Sequence, residues 1–173
     1  MSLATYMRAA ATTKGQKLES SNKQKGREKM LPIIALNHEI VSPRDPASGL
    51  PTGKRQHKPL TLICELDRTY PIWQQILTSN DNIKECIFDF WTNRKLDQLQ
   101  AAGGAGGEVL AYTIKLTNAS VCSTELIMLN NKNPELMKYE THMRIALTYQ
   151  RIEWTWTDGG IMSMDDWETP VVS

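Results

Sequence analysis

Apolar and polar residues alternate with a period of two along most of this chain, and that alternation is the signature of β-strands. Residues 3–9 predict a short strand. Residues 29–41 predict a clear one, with Ile34, Leu36, His38 and Ile40 on one face and Ile33, Ala35, Asn37, Glu39 and Val41 on the other. The second face is the wetter, and Pro32 marks a break or an edge near the strand start. Residues 60–66 place Leu60, Leu62, Cys64 and Leu66 on one side. A single helix follows: Pro71 suits an early helical position, Ile72, Trp73, Ile76 and Leu77 make an apolar stripe, and Asn80-Asp81 end it. Strands resume at 83–92 and are expected again at 108–116, 119–129, 140–149 and 151–157.

Between these lie segments without a period. Residues 10–27 are polar and lysine-rich and predict a flexible connection. Residues 42–58 hold three prolines and two glycines and predict a long irregular loop. Residues 93–107 carry Gly103-Gly104-Ala105-Gly106-Gly107 and predict a flexible hairpin. From Asp158 to Ser173 the chain reads as a tail anchored by Trp167. About eight strands with one short helix in 173 residues predict a single mainly β domain, either a closed barrel or a sandwich.

Composition narrows the function classes. Twenty Lys and Arg against nineteen Asp and Glu leave a formal charge of +1, which argues against a dedicated nucleic-acid binder. The longest apolar run, Leu31 to Leu36, is far short of the roughly twenty residues that cross a bilayer, so no membrane insertion is expected. Arg8 interrupts the start where the apolar core of a secretory signal would run. Residues 1–60 carry eleven Lys and Arg against four Asp and Glu, whereas residues 61–173 carry nine against fifteen. Either the molecule has a basic and an acidic face, suited to head-to-tail self-contact, or folding mixes the two halves.

Candidate chemistry is sparse. Cys64, Cys86 and Cys122 have no C-x-x-C spacing and read as buried free thiols of a reducing cytosol. His38, His57 and His142 lie on three separate segments without metal-ligand spacing and read as isolated histidines. The glycine run lacks the Lys-Ser/Thr of a phosphate loop. Asp165 and Asp166 point to opposite faces if extended, so they do not form a carboxylate pair. Trp154 and Trp156 share a strand face with Ile152, as packing residues do. No metal, cofactor or catalytic constellation emerges, which points to a binding or structural part rather than an enzyme.

Several motifs in order then carry a resemblance. Ile34-Ala35-Leu36-Asn37-His38-Glu39-Ile40, the Pro- and Gly-bearing loop, and Thr52-Gly53-Lys54-Arg55-Gln56-His57-Lys58-Pro59-Leu60 resemble the Hcp family, the tube protein of bacterial type VI secretion. Thr5-Tyr6-Met7, Leu66-Asp67-Arg68-Thr69-Tyr70-Pro71, Tyr149 to Thr155 and Asp165-Asp166-Trp167 continue it over nearly the whole chain. The resemblance implies a closed antiparallel β-barrel with one short α-helix and long loops, assembled as a homo-hexameric ring. Rings would stack into a tube inside a contracting sheath, beneath a VgrG-type spike, and hold secreted effectors in the lumen. The protein itself would pass from the bacterial cytoplasm to the outside without a cleaved signal peptide. Residue by residue, the resemblance implies that Asn37 and Glu39 face the lumen and effectors. It also implies that 42–58, with Arg44, Asp45, Lys54, Arg55 and His57, is the inter-ring loop. Segments 10–27 and 93–107 depart from the family by being enlarged. The competing expectations are a small-ligand-binding barrel and a hydrolase near the 42–58 loop, the latter needing His57 beside a nucleophile.

Overall fold

The computed structural model describes residues 3–93 and 108–167. Ten strands and one helix follow in chain order: β1 (Ala4–Ala9), β2 (Leu31–Ile33), β3 (Ala35–Asn37), β4 (Ile40–Val41), β5 (Gln56–His57), β6 (Leu60–Glu65), α1 (Tyr70–Thr78), β7 (Asn82–Asn93), β8 (Glu108–Ile127), β9 (His142–Trp156) and β10 (Ile161–Asp166). The main sheet is antiparallel in the order β2-β1-β7-β8-β9-β6-β3, with β10 paired to β9. The two ends of that order, β2 and β3, are one stretch of chain joined through Ile34, whose N–H donates to the Ile63 carbonyl at 2.8 Å. The sheet therefore closes on itself, and of the two architectures the strand count allowed, the molecule takes the barrel.

Strand alternation builds the core. Leu60, Leu62 and Cys64 of β6, Met143, Ile145 and Leu147 of β9, and Cys86 and Phe88 of β7 are all fully buried. From α1, Trp73 and Ile76 enter the same cluster. The helix packs against β8, where Gln74 Nε2 donates to Thr124 Oγ1 at 2.8 Å. Its C-terminus closes by two backbone bonds, Asn80 N–H to Leu77 O and Asp81 N–H to Ile76 O. Asn80 takes the left-handed conformation this cap requires, at φ 47°.

Four expectations change. First, the strand expected over 29–41 bends at Ile34 and splits into β2, β3 and β4, so Ile34 is 54% exposed rather than on the core face with Leu36. Leaving Ile34 more than half exposed forgoes part of the roughly 1.5–3 kcal/mol that full burial gives, and the bend lets one segment pair with both β1 and β6. Second, the strands expected at 108–116 and 119–129 are one 20-residue strand that absorbs its interruption at Asn118, φ 53°. The strands at 140–149 and 151–157 likewise merge into β9. Third, Leu66 lies past the end of β6 and is exposed. Fourth, part of the expected tail is a strand: β10 pairs with Arg151 to Trp156, after a single 3-10 turn at Asp158–Gly160.

Residues 10–27 carry little regular structure but are tied to the barrel. Leu18 is buried, and Asp81 accepts from the Thr13 hydroxyl. Arg27 lies over the rings of Tyr6 and Trp91, 4.5 and 4.6 Å from their centroids, and pairs with Glu108. Of the hairpin expected at 93–107, only Asn93, the last residue of β7, belongs to the described residues, and it pairs with Glu108 at the start of β8.

Candidate functional site

The sequence-selected residues fall into two adjoining places. The first is a shallow groove of about 330 Å³ between β3, the start of β6 and the middle of β8. Asn37 and Glu39 line it with Lys58, Thr61 and Cys122. Asn37 is set by its pairing with Thr61 across β3 and β6, and it is exposed. Lys58 Nζ donates to Glu39 Oε2 at 2.7 Å, and both side chains are more than half exposed. Cys122 reaches the groove because β8 bulges between Val121 and Ser123, leaving one residue without a partner on β9. Cys64 and Cys86 are buried as expected, whereas Cys122 is exposed. Its partial burial still pushes the thiol pKa up.

The second place is the 42–58 loop. Its prolines and glycines argued for irregular structure throughout, yet its base is a short antiparallel pair, Ile40 with His57 and Val41 with Gln56. A bridge between Arg44 and Pro51 extends the arm. At the tip, Asp45 accepts from the Ser48 hydroxyl and from the N–H groups of Ala47 and Ser48, which hold its carboxyl below the usual range. Gly49 turns the tip at φ 70°, and Arg44 Nη1 donates to its carbonyl at 3.0 Å. Arg44 and Lys54 are exposed.

Arg55 and His57, at the base of this arm, do something the sequence did not show. Arg55 Nε pairs with Asp165 Oδ2, and its Nη2 donates to the Asp166 carbonyl at 2.8 Å. His57 Nε2 lies 2.7 Å from the same Asp165 oxygen. His57 Nδ1 lies 2.8 Å from Tyr149 Oη, and His38 Nε2 approaches that oxygen from the other side at 2.6 Å. The His57 side chain is 1% exposed, and the Trp167 ring covers it at 5.2 Å between centroids. His38 leans on the Trp154 ring at 6.2 Å.

Chemistry fixes the protons of this chain. An ionised carboxylate only accepts, so His57 donates from Nε2 to Asp165. A neutral His57 then accepts at Nδ1, which makes the Tyr149 hydroxyl the donor there. Tyr149 Oη in turn accepts from His38 Nε2–H. Burial opposes ionisation of Asp165, but the hydrogen bonds of Arg55 and His57 outweigh it and hold its pKa below the ordinary value. Burial, helped by the Asp165 charge, pushes the Tyr149 hydroxyl well up. Burial and the nearby His57 lower His38.

The histidines read as isolated in sequence are therefore joined, two of the three of them, through one phenol. The four members come from the β3–β4 turn, β5, β9 and β10, so no spacing rule connects them. Asp165 stood in the sequence as part of a tail, and its partners were hidden because Ile161, Met162 and Met164 of its strand are exposed and give no buried face. His142 starts β9, away from this network. Among the described residues, no group of His, Cys, Asp and Glu is arranged to hold a metal ion.

Comparison with known proteins agrees with this architecture. A family model described as "Type VI secretion system effector, Hcp" matches residues 11–156. The "Major exported protein" of Pseudomonas aeruginosa is 31% identical over 149 residues, covering 86% of this chain and 81% of that protein. Among solved structures, the crystal structure of an Hcp protein superposes with a TM-score of 0.80 at 21% identity, over 95% of this chain and 99% of the other. Hcp1 from Escherichia coli gives 0.76 at 23% identity over 96% and 99%, and Hcp3 from Pseudomonas aeruginosa 0.70 at 21% over 96% and 99%.

Proposed function

The chain belongs to the Hcp family of tube proteins of type VI secretion, and from that premise we propose that six copies close into a ring whose stacked repeats form the secretion tube. The observation that carries this reading is the family match over residues 11–156 on a closed barrel. The Pseudomonas relative is an exported protein by name, and we read this chain as exported too, from the bacterial cytoplasm and without a cleaved signal peptide. Its partners in this reading are its own copies, secreted effectors, a VgrG-type spike and the sheath.

Within the ring, the groove with Asn37 and Glu39 is assigned to the lumen. Its mixed lining, with the polar side chains of Asn37, Glu39, Lys58 and Thr61, suits a cargo that is held by hydrogen bonds and shape and then released, since affinity tracks fit and ordering cost more than area. The arm 42–58 is assigned to the neighbouring ring, with Arg44, Asp45 and Lys54 carried outward and Arg55 and His57 fastening its base.

We read the role as structural rather than catalytic, and what surrounds the interior supports that reading. Trp73, Phe88, Met7 and the leucines and isoleucines of the core occupy the space a ligand-binding barrel would leave open. His57, the residue a hydrolase would need, faces the Tyr149 hydroxyl, which both imidazoles already engage. Native mass spectrometry of the purified chain tests the assembly directly. A six-fold species supports the ring; a monomer at tens of micromolar refutes it.

A further inference from the structure

The chain His38–Tyr149–His57–Asp165 joins four separate segments, with the Tyr149 hydroxyl between its two imidazoles. We propose that it is a proton-controlled latch: it fastens the base of the 42–58 arm and the strand β10 to the barrel while at most one of its two imidazoles is charged, and releases them when both are. This stands on the geometry of the isolated subunit and does not depend on the tube reading.

Counting protons shows why. With both imidazoles neutral, every donor has an acceptor: His38 Nε2–H to Tyr149 Oη, Tyr149 O–H to His57 Nδ1, and His57 Nε2–H to Asp165. Adding one proton at His57 makes Nδ1 a donor. The phenol then turns and donates to His38 Nε2, which carries its hydrogen on Nδ1 instead. The chain reverses direction and stays complete. With a second proton, both imidazoles donate to Tyr149 Oη, and its own hydrogen has no acceptor left. Tyr149 is 7% exposed, so that hydrogen cannot turn to water, and a buried unpaired donor is costly. Two cations would also flank one phenol.

The surrounding charges do not relieve this. On the His57 side, Asp165 is already shared with Arg55, whose field Asp166 also feels. Next to His38, Glu39 is paired with Lys58 in solvent. Arg151 on β9 pairs with Glu153. The lowering of His38 by burial and by His57 agrees in direction. The sign follows: a histidine whose folded pKa lies below its ordinary value of 6.5 stabilises the closed form above that pH, and the stabilisation is lost as pH falls.

What is released is defined by the contacts. The link that loses its partner is the Tyr149 hydroxyl on β9, whereas Arg55 and His57 keep their hold on Asp165 and the Asp166 carbonyl, so the arm base and β10 move together, and β10 has β9 as its strand neighbour. Opening should therefore loosen β10 and residues 55–58 while the β6–β9 and β7–β8 ladders stay shut.

The test is hydrogen exchange on the intact protein between pH 7.5 and 5.0, corrected for the intrinsic pH dependence of exchange. The opening constant of the β10 amides should rise by about tenfold per pH unit once the second proton binds, with β7 amides unchanged. His38→Gln supplies a neutral donor to Tyr149 and should flatten that dependence. Imidazole NMR of the wild type should show the two protons taken up in separate steps, and Tyr149→Phe should merge them. Equal protection of β10 at both ends of the range, the same pH dependence in His38→Gln, or independent imidazole titrations in the wild type would each overturn the latch.

Discussion

Replacing Asp165 by Asn isolates the electrostatic part of the fastening between the arm and β10. The substitution keeps the shape of the side chain and removes the charge that Arg55 and His57 share. Hydrogen bonds to a charged group contribute about 1.5–3 kcal/mol each. Both contacts converge on Oδ2, and the Asn oxygen keeps one neutral hydrogen bond, so the two do not count in full. The Arg55 and Asp165 side chains are 24% and 20% exposed, and solvent screening reduces the ion pair further. The expected loss at pH 7 is therefore about 2 kcal/mol, which for a chain of this length is roughly a 4–8 °C fall in Tm. The pH dependence carries its own check. The Asp165 pKa is lowered from 3.8, so its contribution is complete above that value and fades as pH falls through the folded-state pKa. Urea unfolding at pH 7 and at pH 3 measures both terms, at one fixed protein concentration because assembly would add a concentration-dependent term. A loss below about 0.5 kcal/mol at pH 7, or a loss that is the same at pH 3, would refute the assignment of Asp165 as the charge that fastens the arm.

Deleting Asp45 to Pro51 removes the tip together with Pro51 of the Arg44–Pro51 bridge and should leave the barrel's circular dichroism unchanged while secretion stops; secretion at wild-type level would remove the arm from inter-ring contact. Asn37→Arg should leave the ring assembled, by native mass, and lower the co-purification of effectors, because it projects a long cation into the groove. Cys122 should react with iodoacetamide in the native protein, faster at pH 9 than at pH 7.5, because the thiolate reacts and a thiol pKa raised above the ordinary 9.0 leaves little of it at the lower pH. Cys64 and Cys86, whose thiols burial pushes up to about 12, should react only after unfolding, and native alkylation of Cys86 would contradict its burial in the core.

Where side chains face one way because their neighbours in sequence do, the chain could be read without its structure. Leu60, Leu62 and Cys64 alternate into the core as their spacing demands, and Ile72, Trp73 and Ile76 mark the helix stripe that α1 presents. The order of motifs also identified the family before any coordinates. Local periodicity has no term for strand partners, however. It could not place the bend at Ile34, which exists because one segment must pair with both β1 and β6, nor could it join β8 across Asn118. It missed β10, whose Ile161, Met162 and Met164 are all exposed and whose order comes from pairing with β9. The His38–Tyr149–His57–Asp165 chain was beyond reach for the same reason. Its directly bonded partners are separated by as many as 111 residues, and each looks ordinary where it stands. Burial patterns are properties of a segment, whereas a hydrogen-bond chain is a property of the positions that closing the barrel brings within 3 Å of one another.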